Sequence, residues 1–169
     1  MAEVGATTAF DPAAVNGNGS WCTAIGKAGG ESTAWQSEDG KAPKPLRMRL
    51  SEKEWQQKLT SKQYSVLRNS STEPPHSSSL IHMFPKVGYF ACAGCSLPLY
   101  PTDAKFSDAE WPAWDMCFHS KVQGCHVKVV PGCFGEDWIC GAEIRCSCCD
   151  GHLGHIFWGE GHTEANQRH

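Results

Sequence analysis

Two Cys-x-x-Cys pairs constrain this chain more than any other feature: Cys92-Ala93-Gly94-Cys95 and Cys146-Ser147-Cys148-Cys149. Each pair turns two soft sulfurs toward one point, and four thiolates close a tetrahedral site of the zinc type. The fold must therefore bring two segments that are distant in sequence into contact. Cys148 lies inside the second pair and offers an alternative ligand, but only Cys146 and Cys149 reproduce the first spacing. Zinc is favoured over an iron cluster because no further cysteine spacing matches a cluster pattern. The bland alternative, four buried thiols packed as small hydrophobes, gives no reason for the pairing to recur. Gly94 and Gly151 are expected to permit the tight turns of the site.

With 169 residues the chain suits one domain plus a tail and can bury a core without disulfides. A formal net charge of -3, with the basic residues scattered, provides no cationic face for a phosphate backbone, so nucleic acid is not an expected partner. No stretch approaches the roughly 20 apolar residues of a membrane-spanning helix, and the N-terminus has no basic segment followed by an apolar run. The expectation is a cytoplasmic monomer with no membrane partner. Organellar import is the alternative, against which stand Glu3, Asp11 and the lack of any arginine before Arg47. In such a setting the ten cysteines read as reduced thiols for metal and redox chemistry.

Residues 1–45 are rich in Gly, Ala, Ser and Thr, end in Lys41-Ala42-Pro43-Lys44-Pro45, and read as a disordered tail and linker. Trp21, Cys22 and Trp35 are its unusual members. The domain then spans 46–169. Ser51 with Glu54, and Thr60 with Gln63, spell two successive capping boxes, with Leu50 and Trp55, then Leu59 and Tyr64, as hydrophobic staples. Two short helices follow, the first through Leu59 and the second to Asn69. Thr72 to Ser79, with Pro74 and Pro75, breaks the helix into a loop. Gly88 to Ala91, His126 to Val130, Trp138 to Cys140 and Ala142 to Arg145 read as short strands. The fold class is mainly β: a compact antiparallel domain with short N-terminal helices.

Several motifs together carry a likeness to a known family. They are Thr60 to Arg68 with Ser71-Thr72-Glu73-Pro74-Pro75, then Tyr89 to Tyr100 around the first cysteine pair, Lys105-Phe106, and Trp111-Pro112-Ala113-Trp114. The last runs from Glu143-Ile144-Arg145-Cys146 through Gly151-His152-Leu153-Gly154-His155-Ile156-Phe157 to Gly159-Glu160-Gly161. Over residues 47–169 the chain resembles the B-type methionine-R-sulfoxide reductases, the SelR family. The resemblance implies two small sheets of the β-tent kind, clasped by structural zinc on Cys92, Cys95, Cys146 and Cys149. It implies a peptide-methionine (R)-S-oxide reductase that repairs oxidised proteins bearing methionine-R-sulfoxide, with thioredoxin or a similar reductant. His152 and His155 would be the catalytic proton donors and Trp111 the substrate-binding indole. The plainer alternatives are a structural histidine pair beside the clasp and a tryptophan packed as core.

The sequence departs from the family pattern at Glu110, where glycine is usual before the Trp-Pro motif, at Ser71, another glycine position, and at His76, where an aromatic is common. By the same resemblance, Arg168-His169 would be followed at once by the nucleophilic cysteine or selenocysteine and a further strand of the sheet. The expectation is a selenoprotein reading frame in which a UGA codon follows His169. The resolving thiol is not assigned; Cys22, Cys117, Cys125, Cys133 and Cys140 remain open. A second class of function, a catalytically inactive zinc-binding β module that holds a peptide or small molecule, stays beside the enzyme.

Overall fold

The computed structural model describes residues 2–3, 46–86, 88–107, 110–120, 123–130 and 141–169. The expected tail lies outside these residues apart from Ala2–Glu3 (β1), which pairs antiparallel with Tyr89–Cys92 (β2). Trp21, Cys22, Trp35 and Cys133 also fall outside, as does the strand expected over 138–140.

Both capping boxes form. Helix α1 runs Glu52–Lys58: the Ser51 hydroxyl accepts from the Glu54 amide, while the Glu54 carboxylate accepts from the Ser51 amide at 2.7 Å. Helix α2 runs Ser61–Asn69 with the same exchange between Thr60 and Gln63. Each box satisfies amides that a helix start leaves without partners. Tyr64 and Arg68 on α2 both reach Glu52 on α1, at 2.9 and 3.0 Å, which ties the two short helices together. Ser70, in the left-handed region at φ 53°, ends α2.

Among the described residues the β part comprises two principal sheets and two ribbons. β2 pairs with Pro98–Pro101 (β3), and β1 extends that sheet along the other edge of β2. A four-stranded antiparallel sheet has the order Gln167–Arg168 (β11), His152–Trp158 (β10), Ala142–Cys146 (β9), Val127–Val129 (β8). Lys105–Phe106 (β4) pairs with Ala113–Trp114 (β5), and His119–Ser120 (β6) with Gly124–Cys125 (β7). The strands expected near 88–91, 126–130 and 142–145 thus exist, whereas β10, the longest of the described strands, was not anticipated.

Phe90, Leu99, Val127, Ile144 and Ile156 are fully buried in one core cluster, and Phe118 is fully buried as well. Trp55 and Leu67 bring the helices onto this core. Leu67 lies against both cysteine turns: a methyl group on Gly151 would come within 3.1 Å of its Cδ2, and one on Gly94 within 3.5 Å of its Cδ1. Gly151 leaves room for the close approach of this side chain, whereas a Cβ at Gly94 would meet it at ordinary van der Waals distance. Truncation by Leu67→Ala removes that wedge and should cost about 2–5 kcal/mol of stability, measured as a shift in the urea unfolding free energy.

Candidate functional site

The two cysteine turns are built alike. The Ser96 amide donates to the Cys92 carbonyl at 2.8 Å and the Asp150 amide to the Cys146 carbonyl at 3.0 Å. Ser96 and Asp150 hold positive φ, 61° and 63°. The left-handed positions therefore fall on these two residues and not on Gly94 and Gly151, which corrects the expected reason for the glycines. The Sγ atoms of Cys92, Cys95, Cys146 and Cys149 all lie within 4.8 Å of one another, with Cys92 to Cys149 at 3.6 Å and Cys95 to Cys146 at 3.5 Å. A tetrahedron with metal to sulfur bonds of about 2.3 Å has edges of roughly 3.8 Å, so this cluster could hold a metal ion with little adjustment. Hydrogen bonds from Cys146, Cys149 and Cys95 hold the Cys92 thiol far below its ordinary range, while the same contacts push Cys95 up. Cys148 is buried beside the cluster and is not one of the four.

From the second turn the chain runs directly into β10. Strand periodicity alone would point His152 and His155, three positions apart, to opposite faces. A bulge prevents this: His152 opposes Arg145, Gly154 opposes Ile144 and His155 opposes Glu143, so that Leu153 is the extra residue on β10. The insertion shifts the alternation by one and brings both imidazoles together, with ring centroids 5.7 Å apart at 73°. Gly154 occupies φ 138°, a conformation that L side chains rarely adopt, although no atom lies within 4 Å of where a Cβ would stand. Its glycine answers to backbone conformation and not to space.

His152 is 4 % exposed, whereas His155 stands open to solvent. The Nδ1 of His152 lies 2.8 Å from Oε1 of buried Glu143. Arg145 grips the same carboxylate with two donors, Nε to Oε1 at 2.8 Å and Nη2 to Oε2 at 3.1 Å. Burial alone would raise the Glu143 carboxyl, but the bonds from Arg145 and His152 outweigh it and hold it below the usual carboxylate range. Burial pushes His152 down, against the opposing pull of Glu143.

These histidines line a cavity of about 530 Å³ that Trp111 and His169 also face. Its inner wall is aromatic: Tyr100 stacks on Trp114 at 4.6 Å, and the His169 ring meets Tyr100 edge-on at 5.7 Å. Burial lowers His169 to about 4, so the ring is neutral. Arg168 forms a two-point pair with Glu160 at 2.7 and 2.8 Å and lies over the Phe157 ring. The outer wall is the Pro-rich loop, fastened to the Trp-Pro segment at two points. The Trp111 Nε1 donates to the Glu73 carbonyl at 3.0 Å, and the His76 amide donates to the Glu110 carbonyl at 2.9 Å. Two of the departures noted in the sequence, His76 and Glu110, are thus joined through their backbones. The third, Ser71, meets the Ser65 hydroxyl at 2.8 Å.

The structure brings Trp111, His152 and His155 to one cavity and the four cysteines to a separate cluster. Sequence reasoning passed over Glu143 as a partner of His152, and Tyr100, Trp114, Phe157 and Arg168 as cavity walls. Glu143 stood in the quoted motif, but its role depends on the shifted register of β9 and β10. Of the open resolving thiols, Cys117 is fully buried and pushed up to about 12, and Cys125 is disulfide-bonded, an exception to the expectation of reduced thiols. Cys22, Cys133 and Cys140 lie outside the described residues.

A β domain with a four-sulfur clasp and a histidine-lined aromatic cavity belongs to a definable class: residues 59–169 match the SelR domain. Peptide methionine sulfoxide reductase B5 of Arabidopsis thaliana is 37% identical over 130 residues, 76% of this chain and 86% of its own. Peptide methionine sulfoxide reductase B8 of the same plant is 38% identical over 120 residues, 70% and 77% respectively. An uncharacterised protein of Schizosaccharomyces pombe is 37% identical over 121 residues, 70% and 83%. The chain belongs to the SelR family of B-type methionine sulfoxide reductases, and its reaction is methionine sulfoxide reduction. Among the described residues no helix is long and apolar enough to cross a membrane.

Gly154 is the position on which the histidine arrangement turns. Gly154→Ala should cost about 1–3 kcal/mol in urea unfolding. In folded protein it should also abolish proximity signals between the His152 and His155 rings in NMR spectra, because the bulge must relax.

Proposed function

We propose that this domain reduces the R epimer of methionine sulfoxide in oxidised proteins, with a cysteine or selenocysteine joined to His169 as nucleophile. The observation that carries the reading is the convergence of Trp111, His152, His155 and His169 on one cavity. The His169 amide donates to the Trp114 carbonyl at 2.8 Å, which directs the chain end along β5 toward that space. The Trp111 indole offers an apolar, polarizable wall for the substrate's methyl group, and its fixed Nε1 keeps the ring in place.

A thiolate or selenolate attacks the sulfoxide sulfur, and the oxygen takes a proton delivered through His152 and His155. The attack joins the nucleophile to the substrate sulfur; the protonated oxygen then passes to the nucleophile as that new bond and the S–O bond break, so methionine departs and the nucleophile is left as the sulfenic or selenenic acid. A second thiol condenses with it, releasing water and forming a disulfide or selenenylsulfide; thioredoxin or a similar dithiol then reduces that bond. A selenol ionises more readily than a thiol, which increases the attacking anion near neutral pH. The domain works as a cytoplasmic monomer, with oxidised proteins and the reductant as its partners.

Cys92, Cys95, Cys146 and Cys149 would hold zinc, which supplies structural cross-linking and no chemistry at the sulfoxide. The clasp residues fix the start of β10 and so the position of His152. Cys92→Ser or Cys149→Ser should remove about one zinc per chain and unfold the β domain, since metal binding and folding are coupled. Elemental analysis finding no zinc in well-folded protein would exclude this ion.

The activity test is a chain carrying cysteine or selenocysteine after His169, assayed with dithiothreitol on the separate sulfoxide epimers. Reduction of the R epimer alone is expected, and His155→Ala should lower the rate by about 10²–10⁴-fold. A folded, zinc-loaded protein inactive on both epimers would favour the inactive zinc-binding module.

A further inference from the structure

We propose that Glu143, anchored by Arg145, is the positioning residue that holds His152 in its Nδ1–H tautomer and leaves Nε2 to exchange the proton within the cavity. The inference rests on the reductase reading above and adds to it a residue that touches neither substrate nor nucleophile. Glu143 is 6 % exposed and is not among the residues lining the cavity, whereas His152 is. Its Oε1 lies 2.8 Å from His152 Nδ1. A carboxylate there can only accept, so the imidazole nitrogen facing it carries hydrogen.

The two-point grip of Arg145 does more than neutralise Glu143. Arg145 Nε and Nη2 take one lone pair on each oxygen and leave the carboxylate plane fixed relative to β9. Glu143 and Arg145 stand two apart on that strand and share a face, while the bulge on β10 brings His152 over them. The ring is thereby held on one side by a charged pair and faces the cavity on the other. When Nε2 carries the second proton, the imidazolium forms beside a fixed negative charge; when it gives that proton up, the neutral ring keeps the same bond and orientation. No reorganisation accompanies the transfer.

Two measurements test this. The first uses the 169-residue chain labelled with ¹⁵N, in which imidazole shifts report the tautomer without any turnover. His152 should be the Nδ1–H form in the wild type and in Glu143→Gln, whose amide oxygen still accepts, and should become a tautomer mixture in Glu143→Ala. An Nε2–H tautomer in the wild type would overturn the proposal. The second uses the chain carrying cysteine after His169. Glu143→Gln should lower kcat by roughly 10-fold and Glu143→Ala by about 10²-fold, with KM changed less than about twofold, because proton delivery and not binding is impaired. Equal kcat in the wild type and Glu143→Gln would overturn the proposal even if Glu143→Ala fails to fold. An inactive wild-type chain would instead overturn the reductase reading and this proposal with it.

Discussion

The turn between β9 and β10 is the interaction on which the rest of the structure depends. Its backbone closes on itself, Asp150 amide to Cys146 carbonyl and Cys146 amide to Gly151 carbonyl at 3.0 and 2.9 Å. The turn presents two sulfurs to the first cysteine pair, receives Leu67 of α2 against Gly151, and releases the chain into β10 at His152. Two of the four clustered sulfurs and His152 are consequently parts of one covalent hairpin. His152 is only three positions from Cys149, so a displacement of the sulfurs by an ångström is passed on to the imidazole, and geometric error of that size would matter in the proposed reaction.

The cavity depends on a second constraint, the fastening of a loop that has no secondary structure of its own. Pro74 and Pro75 cannot donate to a ladder, so the loop holds its place through other atoms. The Glu73 carbonyl takes the Trp111 indole N–H, and the His76 amide donates to the Glu110 carbonyl. His76 adopts φ 60° to do so, a conformation uncommon for a residue with a Cβ. Because this contact uses backbone atoms, the residue types at 76 and 110 can depart from the family pattern without opening the wall.

What could be read from the sequence was the local part. Ser51 with Glu54 and Thr60 with Gln63 bond within one helical turn, so their spacing suffices to place both helices, and the cysteine spacing suffices to pair the knuckles. Legibility failed where two distant stretches had to be combined. β10 does not alternate, because Leu153 is an inserted residue and Gly154 interrupts any pattern of side chains; its strand character comes from pairing with β9 and β11. The role of Glu143 requires the same register. Gly94 and Gly151 lie at the two cysteine turns, but the positive φ falls on Ser96 and Asp150, and the smallness of Gly151 serves Leu67, a residue on a helix more than twenty positions away.

The two histidines occupy unequal environments, and this inequality suits the proton relay proposed for them. His152 is enclosed, and enclosure disfavours its charged form; the Glu143 carboxylate, itself kept ionised by Arg145, acts in the opposite direction. A donor works best when its proton affinity lies near the working pH, neither held too tightly nor already lost. Removing the charge of Glu143 while keeping burial would make the imidazolium harder to form, and exposing the ring while keeping the charge would make it slower to release its proton. His155, open to water and edge-on to His152, would link solvent to the enclosed ring in the proposed relay. The bulge at Leu153 and Gly154 therefore does more than gather two histidines: it places one inside and one outside on the same face of a strand.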